Sequence, residues 1–116
     1  MQTVARMDRA LTLQPGVALE EAVTLAAEGR YERARVMLTG LADRLAAAGD
    51  KIKAAEAAFW HAYTIEKLGW PAKAVPLYKK VTEDYPQTPA AKLAAQRLAT
   101  LRRQAELSIL RGMTGP

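Results

Sequence analysis

Two short segments of the sequence align with each other without a gap, and this repeat constrains the fold more than any other feature. Residues 27–34 read Ala-Glu-Gly-Arg-Tyr-Glu-Arg-Ala, residues 67–74 read Lys-Leu-Gly-Trp-Pro-Ala-Lys-Ala, and Gly69 therefore follows Gly29 at an offset of 40 residues. The same offset matches four more apolar pairs: Ala22 with Ala62, Leu25 with Ile65, Leu38 with Tyr78, and Leu41 with Val81. Each unit predicts a helix, a tight turn at the glycine and a second helix, because glycine lets the chain reverse within a few residues.

The spacing of apolar residues predicts an all-α chain of stacked antiparallel helical hairpins. β-branched residues are scattered, and no stretch alternates apolar and polar residues as a half-buried strand does. The predicted helices cover residues 3–13, 17–28, 31–48, 50–68, 71–85 and 88–110. They group into one domain spanning 1–116, with an N-terminal helix (1–14), a first hairpin (17–49), a second hairpin (50–86) and a C-terminal helix (88–110).

Local signals define several of these helices. Asp50 and Thr88 are good N-caps, and Pro89 stands at the first helical position, where proline is favoured. Pro76 lies inside the fifth predicted helix and lacks a backbone N–H, so a kink or a loosened first turn is expected there. The fourth predicted helix is apolar on two sides, which predicts a place in the middle of the stack. One side carries Ile52, Ala55, Phe59, Ala62 and Tyr63, and the other carries Ala54, Ala58, Ile65 and Leu68.

Composition excludes several classes of protein. The 116 residues include no cysteine, which excludes a disulfide framework and thiolate metal sites. No run of about 18 apolar residues is present, so no transmembrane helix is expected. The N-terminus carries charges at Arg6, Asp8 and Arg9 and does not resemble a signal peptide. The expected compartment is the cytoplasm, although a periplasmic chain without its leader would have the same features.

Catalytic residue sets are not found in the sequence. His61 is the only histidine and Ser108 the only serine, so a Ser-His-Asp triad is not credible. His61 lies on an apolar side of the fourth predicted helix, which favours a packed, hydrogen-bonded core histidine over a catalytic base. The acidic pairs 20–21 and 83–84 are adjacent residues that point in different directions on a helix. The chain is therefore predicted to be no enzyme and to bind no cofactor and no metal.

The repeat resembles the tetratricopeptide repeat family, and in particular its bacterial members. Residues 29–34 look like the family's turn between two helices and the start of its second helix. Ala74, Tyr78 and Pro86 look like its small–aromatic–proline pattern, and residues 85–91 resemble repeat junctions of bacterial envelope proteins. The resemblance covers roughly residues 17–110. The family's repeat has about 34 residues, shorter than the 40-residue offset seen here. Two further features depart from the family: the tryptophan, Leu-Gly and tyrosine of its first helix are replaced, and the first unit has no exit proline.

The resemblance implies a right-handed superhelix that acts as a protein-interaction scaffold, adaptor, chaperone or assembly subunit. The first helices of successive hairpins would line a concave surface for a protein or peptide. That surface would carry Leu19, Val23, Glu56, Phe59, Tyr63, Lys67, Leu93 and Arg97. Aromatic rings at 59 and 63 would supply contact area, and cations at 67 and 97 would pair with acidic groups of a peptide.

The same residues also allow other interpretations of the predicted partner surface and of the last helix. The aromatic residues at 59 and 63 would also fit against a terminal helix of the same chain. The stripe Leu98–Leu101–Ile109 would suit self-association into a homo-oligomer. The formal charge of +5 permits a nucleic-acid surface on the last helix, which is the alternative function. Its cations are Lys92, Arg97, Arg102, Arg103 and Arg111, opposed only by Glu106.

Overall fold

The computed structural model describes the backbone of residues 13–114 and the side chains of residues 13–112, and this part of the chain is helical without any strand. The all-α prediction is confirmed. The helices are α1 (Pro15–Ala27), α2 (Tyr31–Leu38), α3 (Leu41–Ala47), α4 (Lys51–Lys67), α5 (Pro71–Asp84) and α6 (Pro89–Thr114). Of the helix predicted over residues 3–13, only residue 13 is described, and it lies in a bend.

The two repeated glycines make the same turn. Gly29 has φ 78° and Gly69 has φ 92°, both in the left-handed region that favours glycine. In each turn the next residue's N–H bonds back to the last turn of the preceding helix: Arg30 N donates to Leu25 O at 2.9 Å, and Trp70 N donates to Ile65 O at 3.2 Å. These bonds satisfy carbonyls that the end of a helix leaves unpaired.

One predicted helix is wrong. The sequence predicted a continuous helix over residues 31–48, but the chain forms two helices, α2 and α3, separated by Thr39 and Gly40. Thr39 is extended, with ψ 119°, and Gly40 is left-handed, with φ 74°. Periodicity did not reveal the break because the apolar stripe passes through it. Its members on both sides are buried: Ala34, Leu38, Leu41 and Leu45.

The central helix of the fold is α4, as predicted, and it contacts each of the other five helices. Helices that follow one another in the chain pack together, α1 on α2, α3 on α4, α4 on α5 and α5 on α6, while α1, α2 and α6 also contact α4. The buried apolar residues form two clusters, and side chains of α4 contribute to both. One cluster lies among α1–α4 and the other among α4–α6.

Helix ends follow the predicted caps. The carboxylate of Asp50 accepts a hydrogen bond from Lys53 N at 3.0 Å, and the hydroxyl of Thr88 accepts one from Ala91 N at 3.2 Å. Pro76 does not interrupt α5, which runs without a break from Pro71 to Asp84. The last helix is longer than predicted and ends at Thr114. One side of it is buried as far as Leu101, and every side chain is exposed over residues 102–112.

The break between α2 and α3 can be tested by replacing Gly40 with alanine. A Cβ at Gly40 would meet no atom within 4 Å, so any effect comes from the left-handed backbone alone. Gly40→Ala is expected to lower the free energy of unfolding by about 1–2 kcal/mol, measured by urea denaturation. Gly112→Ala, at an equally open position inside α6, is the matched control and should not destabilise the chain. Equal stability of the two variants would contradict the break.

Candidate functional site

One strip of α4 remains exposed although the helix is buried on its other sides. We define the α4 face as Ile52, Glu56, Tyr63 and Lys67, which recur at helical spacing along one side of α4. Ile52 is 64% exposed, Glu56 and Lys67 are exposed, and Tyr63 is half-buried. An exposed isoleucine and a tyrosine ring on the central helix give this surface an apolar component flanked by charges of both signs.

The ring of Tyr63 is held in place by its neighbours. It stacks on Phe59, with ring centroids 6.2 Å apart and planes at 24°, and meets Trp60 edge-on at 5.5 Å. The ammonium group of Lys67 lies 5.3 Å from the centroid of the Tyr63 ring, which is a cation–π distance. Phe59 also contacts the ring of Tyr78, with centroids 5.7 Å apart. An aromatic ring fixed in this way loses little conformational entropy when it binds a partner.

A polar cluster joins α4, α5 and α6 beneath this surface. Oε1 of Glu66 accepts hydrogen bonds from Tyr78 Oη at 2.8 Å and from Arg97 Nε at 3.1 Å. Arg97 Nη2 donates to the other carboxylate oxygen, so the guanidinium and the carboxylate form a bidentate ion pair. The side chain of Glu66 is only 10% exposed and that of Arg97 30%. The cluster therefore links three helices through a mostly buried charge pair.

The pKa values in this cluster shift with their surroundings. Burial raises the pKa of the Tyr78 phenol, and its hydrogen bond to the Glu66 carboxylate raises it further. The hydrogen bond to Glu66 also raises the pKa of the Arg97 guanidinium, against the effect of burial. Tyr78 is therefore neutral and Arg97 charged at any physiological pH.

Three residues assigned to the partner surface from the sequence lie elsewhere or have another role. Phe59 is 8% exposed and Leu19 is 4% exposed, so both belong to the interior. Arg97 is bound to Glu66 and holds α6 against α4, so its charge is already neutralised by a partner in the same chain. Arg97→Glu would place two carboxylates together in a mostly buried position, and this change is not a suitable probe of a binding surface.

The remaining predicted residues do lie on the surface. Glu56 and Lys67 are exposed on the α4 face, with Tyr63 between them. Leu93 is 47% exposed on α6, one turn before Arg97, and Val23 of α1 is half-buried. Since α1 and α6 both contact α4, these residues come from adjoining helices.

Sequence reasoning missed two members of the site. Ile52 was placed on an inner side of its helix, but it stands in the first turn of α4, where it is mostly exposed. Glu66 was not singled out, because its partner Arg97 is 31 residues away and no local pattern joins them. His61 also differs from the prediction. It is half-buried and does not belong to the buried core.

Comparisons of the chain with protein-family models, with curated proteins and with solved structures found no match. Within residues 13–114, no helix combines the length and the apolar character needed to cross a membrane. In the same part of the chain, no group of three or more histidine, aspartate and glutamate residues is arranged to hold a metal ion.

The polar cluster can be tested by removing one hydroxyl. Tyr78→Phe deletes the hydrogen bond to the Glu66 carboxylate in a buried position and is expected to lower the free energy of unfolding by about 1–2 kcal/mol. Tyr31→Phe is the control, because the Tyr31 hydroxyl makes no hydrogen bond within the described residues and its loss should be nearly neutral. The free energies of unfolding of the two variants are measured by urea denaturation. Equal values would show that the hydrogen bond of Tyr78 does not stabilise the fold.

Proposed function

We propose that this chain is a non-catalytic protein-interaction module of the tetratricopeptide type. Three features support the type: two glycine turns with the same hydrogen bonds, helices that pack in chain order, and contacts of α1 and α6 with α4, which link the first helices of successive hairpins. In repeat stacks of this kind each unit contacts only its neighbours, and the first helices share one surface.

The observation that carries the proposal is the α4 face. A helix that contacts five others should bury its apolar residues, yet Ile52 remains 64% exposed and Tyr63, about three turns further along the same side, is only half-buried. Leu93 of α6 adds a further exposed apolar side chain. Apolar and aromatic groups held on rigid helices are the usual anchors of protein interfaces.

The charges around the α4 face indicate the chemistry of the partner. On this face Glu56 opposes Lys67, and Lys53 is exposed on α4 next to Ile52. The chain as a whole carries a formal charge of +5, which favours approach by a negatively charged molecule. The proposed partner is therefore a protein segment with apolar anchor residues and acidic neighbours, bound by the module as a scaffold or adaptor.

The proposal can be tested with a peptide library displayed against the purified chain. Enriched peptides should combine apolar with acidic residues, and Ile52→Asp should weaken their binding roughly 10-fold or more. Val36→Asp is the matched control, because Val36 is 57% exposed on α2 and does not belong to the α4 face. Binding to this control should stay within about 2-fold of the wild type, since its side chain makes no proposed contact.

Two results would count against the α4 face. Equal loss of binding in the Ile52→Asp and Val36→Asp variants would show a general effect of added negative charge. Unchanged binding in Ile52→Asp would place the contact elsewhere. Sedimentation of the wild-type chain, run alongside, shows whether a second copy occupies the surface.

A nucleic-acid surface on α6 is the second candidate function, and the exposure of this helix favours it. Lys92, Arg102, Arg103 and Arg111 are exposed on α6. A complex held by these cations should weaken steeply as salt rises from about 50 to 200 mM, since binding releases counterions from phosphates. Electrophoretic mobility shifts with DNA and RNA test this function, and the lack of any shift at about 50 mM salt removes it.

A further inference from the structure

A cleft of about 230 Å³ lies between α5 and the break that separates α2 from α3. It is distinct from the α4 face and shares no residue with it. Residues from α2 to the end of α5 line it, and Gly40 is among them. Gly40 is the left-handed residue of the helix break, so the same irregularity that ends α2 contributes to the wall of the cleft.

The lining is amphipathic. Ala42, Ala58 and Leu77 are half-buried and present apolar surface to the cleft, with the fully buried Leu38 and Val81 behind them. The charged residues Asp43, Lys80 and Asp84 are exposed, which places their charges toward the opening. A ligand that fits this arrangement has an apolar stem and a charged end.

The sign of that charge follows from the carboxylates. Asp43 and Asp84 form no ion pair within the described residues, and together they oppose a single ammonium group, that of Lys80. Burial raises the pKa of the Tyr85 phenol, and the negative charges of Asp84 and Asp43 raise it further. Both carboxylates therefore act on the same hydroxyl, although one comes from α3 and the other from α5.

His61 adds no positive charge to the cleft at neutral pH. Burial lowers the pKa of its imidazole, and the positive charge of Arg35 lowers it further. The charged and polar groups around it are Arg35 of α2 and, in the lining of the cleft, Asp43 of α3, Lys80 and Asp84 of α5, and Tyr85 just after α5. With a neutral imidazole, the residues that line the cleft carry one net negative charge, and the nearby guanidinium of Arg35 is paired with Glu32.

We propose that this cleft binds an alkylammonium or guanidinium group on an apolar stem, as found in a lysine or arginine side chain of a bound protein segment. The stem packs on Ala42, Ala58 and Leu77, and the cation lies between Asp43 and Asp84 beside the ring of Tyr85. The volume is below the roughly 300–1,000 Å³ of cofactor and drug-sized sites, so the cleft accommodates one side chain rather than a large ligand.

The only histidine of the chain gives a direct probe of the cleft, because His61 lines it. The probe is Nα-acetyl-lysine methylamide, which keeps a free ε-ammonium group. It is titrated into the wild-type chain at neutral pH while the ring resonances of His61 are followed by NMR. A saturable shift with a dissociation constant on the order of 1 mM is expected for a single side chain. N-acetyl-norleucine methylamide has the same stem without the charge and should give no saturable shift.

Either of two results overturns the proposal: no saturable shift with the lysine probe, or an equal shift with the norleucine probe, which would mark the cleft as apolar only. Putrescine distinguishes the source of the cation. Tighter binding of putrescine than of the capped lysine would assign the cleft to a free amine and overturn the assignment to a protein side chain.

Charge variants at the rim give an independent check. Asp43→Asn and Asp84→Asn should each weaken binding of the lysine probe roughly 2- to 5-fold, and Lys80→Gln should strengthen it by a similar factor, since each changes one exposed charge near the ligand. Glu83→Gln is the matched control, because Glu83 is exposed on α5 next to Asp84 but does not line the cleft. An effect of Glu83→Gln as large as that of Asp84→Asn would show that only overall charge matters. Ile52→Asp should leave this binding unchanged, so the two proposals fail independently.

Discussion

The other helices of the fold pack closely against α4, and this packing requires small side chains on α4. Ala54, Ala55, Ala57 and Ala62 are completely buried on this helix, and their small side chains leave room for neighbours on several sides. Alanine is also the residue with the highest helix propensity, so α4 stays helical without bulky residues to support it. Larger side chains at these positions would push the surrounding helices apart, and core overpacking is destabilising. Ala34 and Ala74 have the same role at the start of α2 and α5, where both are fully buried.

The features that the sequence predicted well are local ones. The turns at Gly29 and Gly69, the caps at Asp50 and Thr88 and the central place of α4 each depend on residues a few positions apart. The break at Thr39–Gly40 was missed because its apolar stripe is compatible with both a straight helix and two shorter ones. A glycine in the middle of a predicted helix, preceded by a β-branched residue, was the available signal.

The surface was predicted less well than the fold, and the reason is again physical. Periodicity identifies which side of a helix is apolar, but it does not show which apolar residues a neighbour covers. Phe59 and Ile52 were assigned to the same side of α4, yet one is 8% exposed and the other 64%. The sequence predicted that Arg97 would be available to a partner, whereas its guanidinium is bound by Glu66, which lies 31 residues earlier on α4. Long-range pairs of this kind need the packing of α6 on α4 before they can form.

The side chains of Trp60 and Tyr85 influence how the chain unfolds. Trp60 of α4 and Tyr85 after α5 each pack against both apolar clusters, so neither cluster is sealed by its own helices alone. Because these two aromatic side chains contact both clusters, unfolding of the helices around one cluster exposes apolar surface of the other. The two clusters are therefore coupled thermodynamically, and the helices around them are expected to unfold in one cooperative transition.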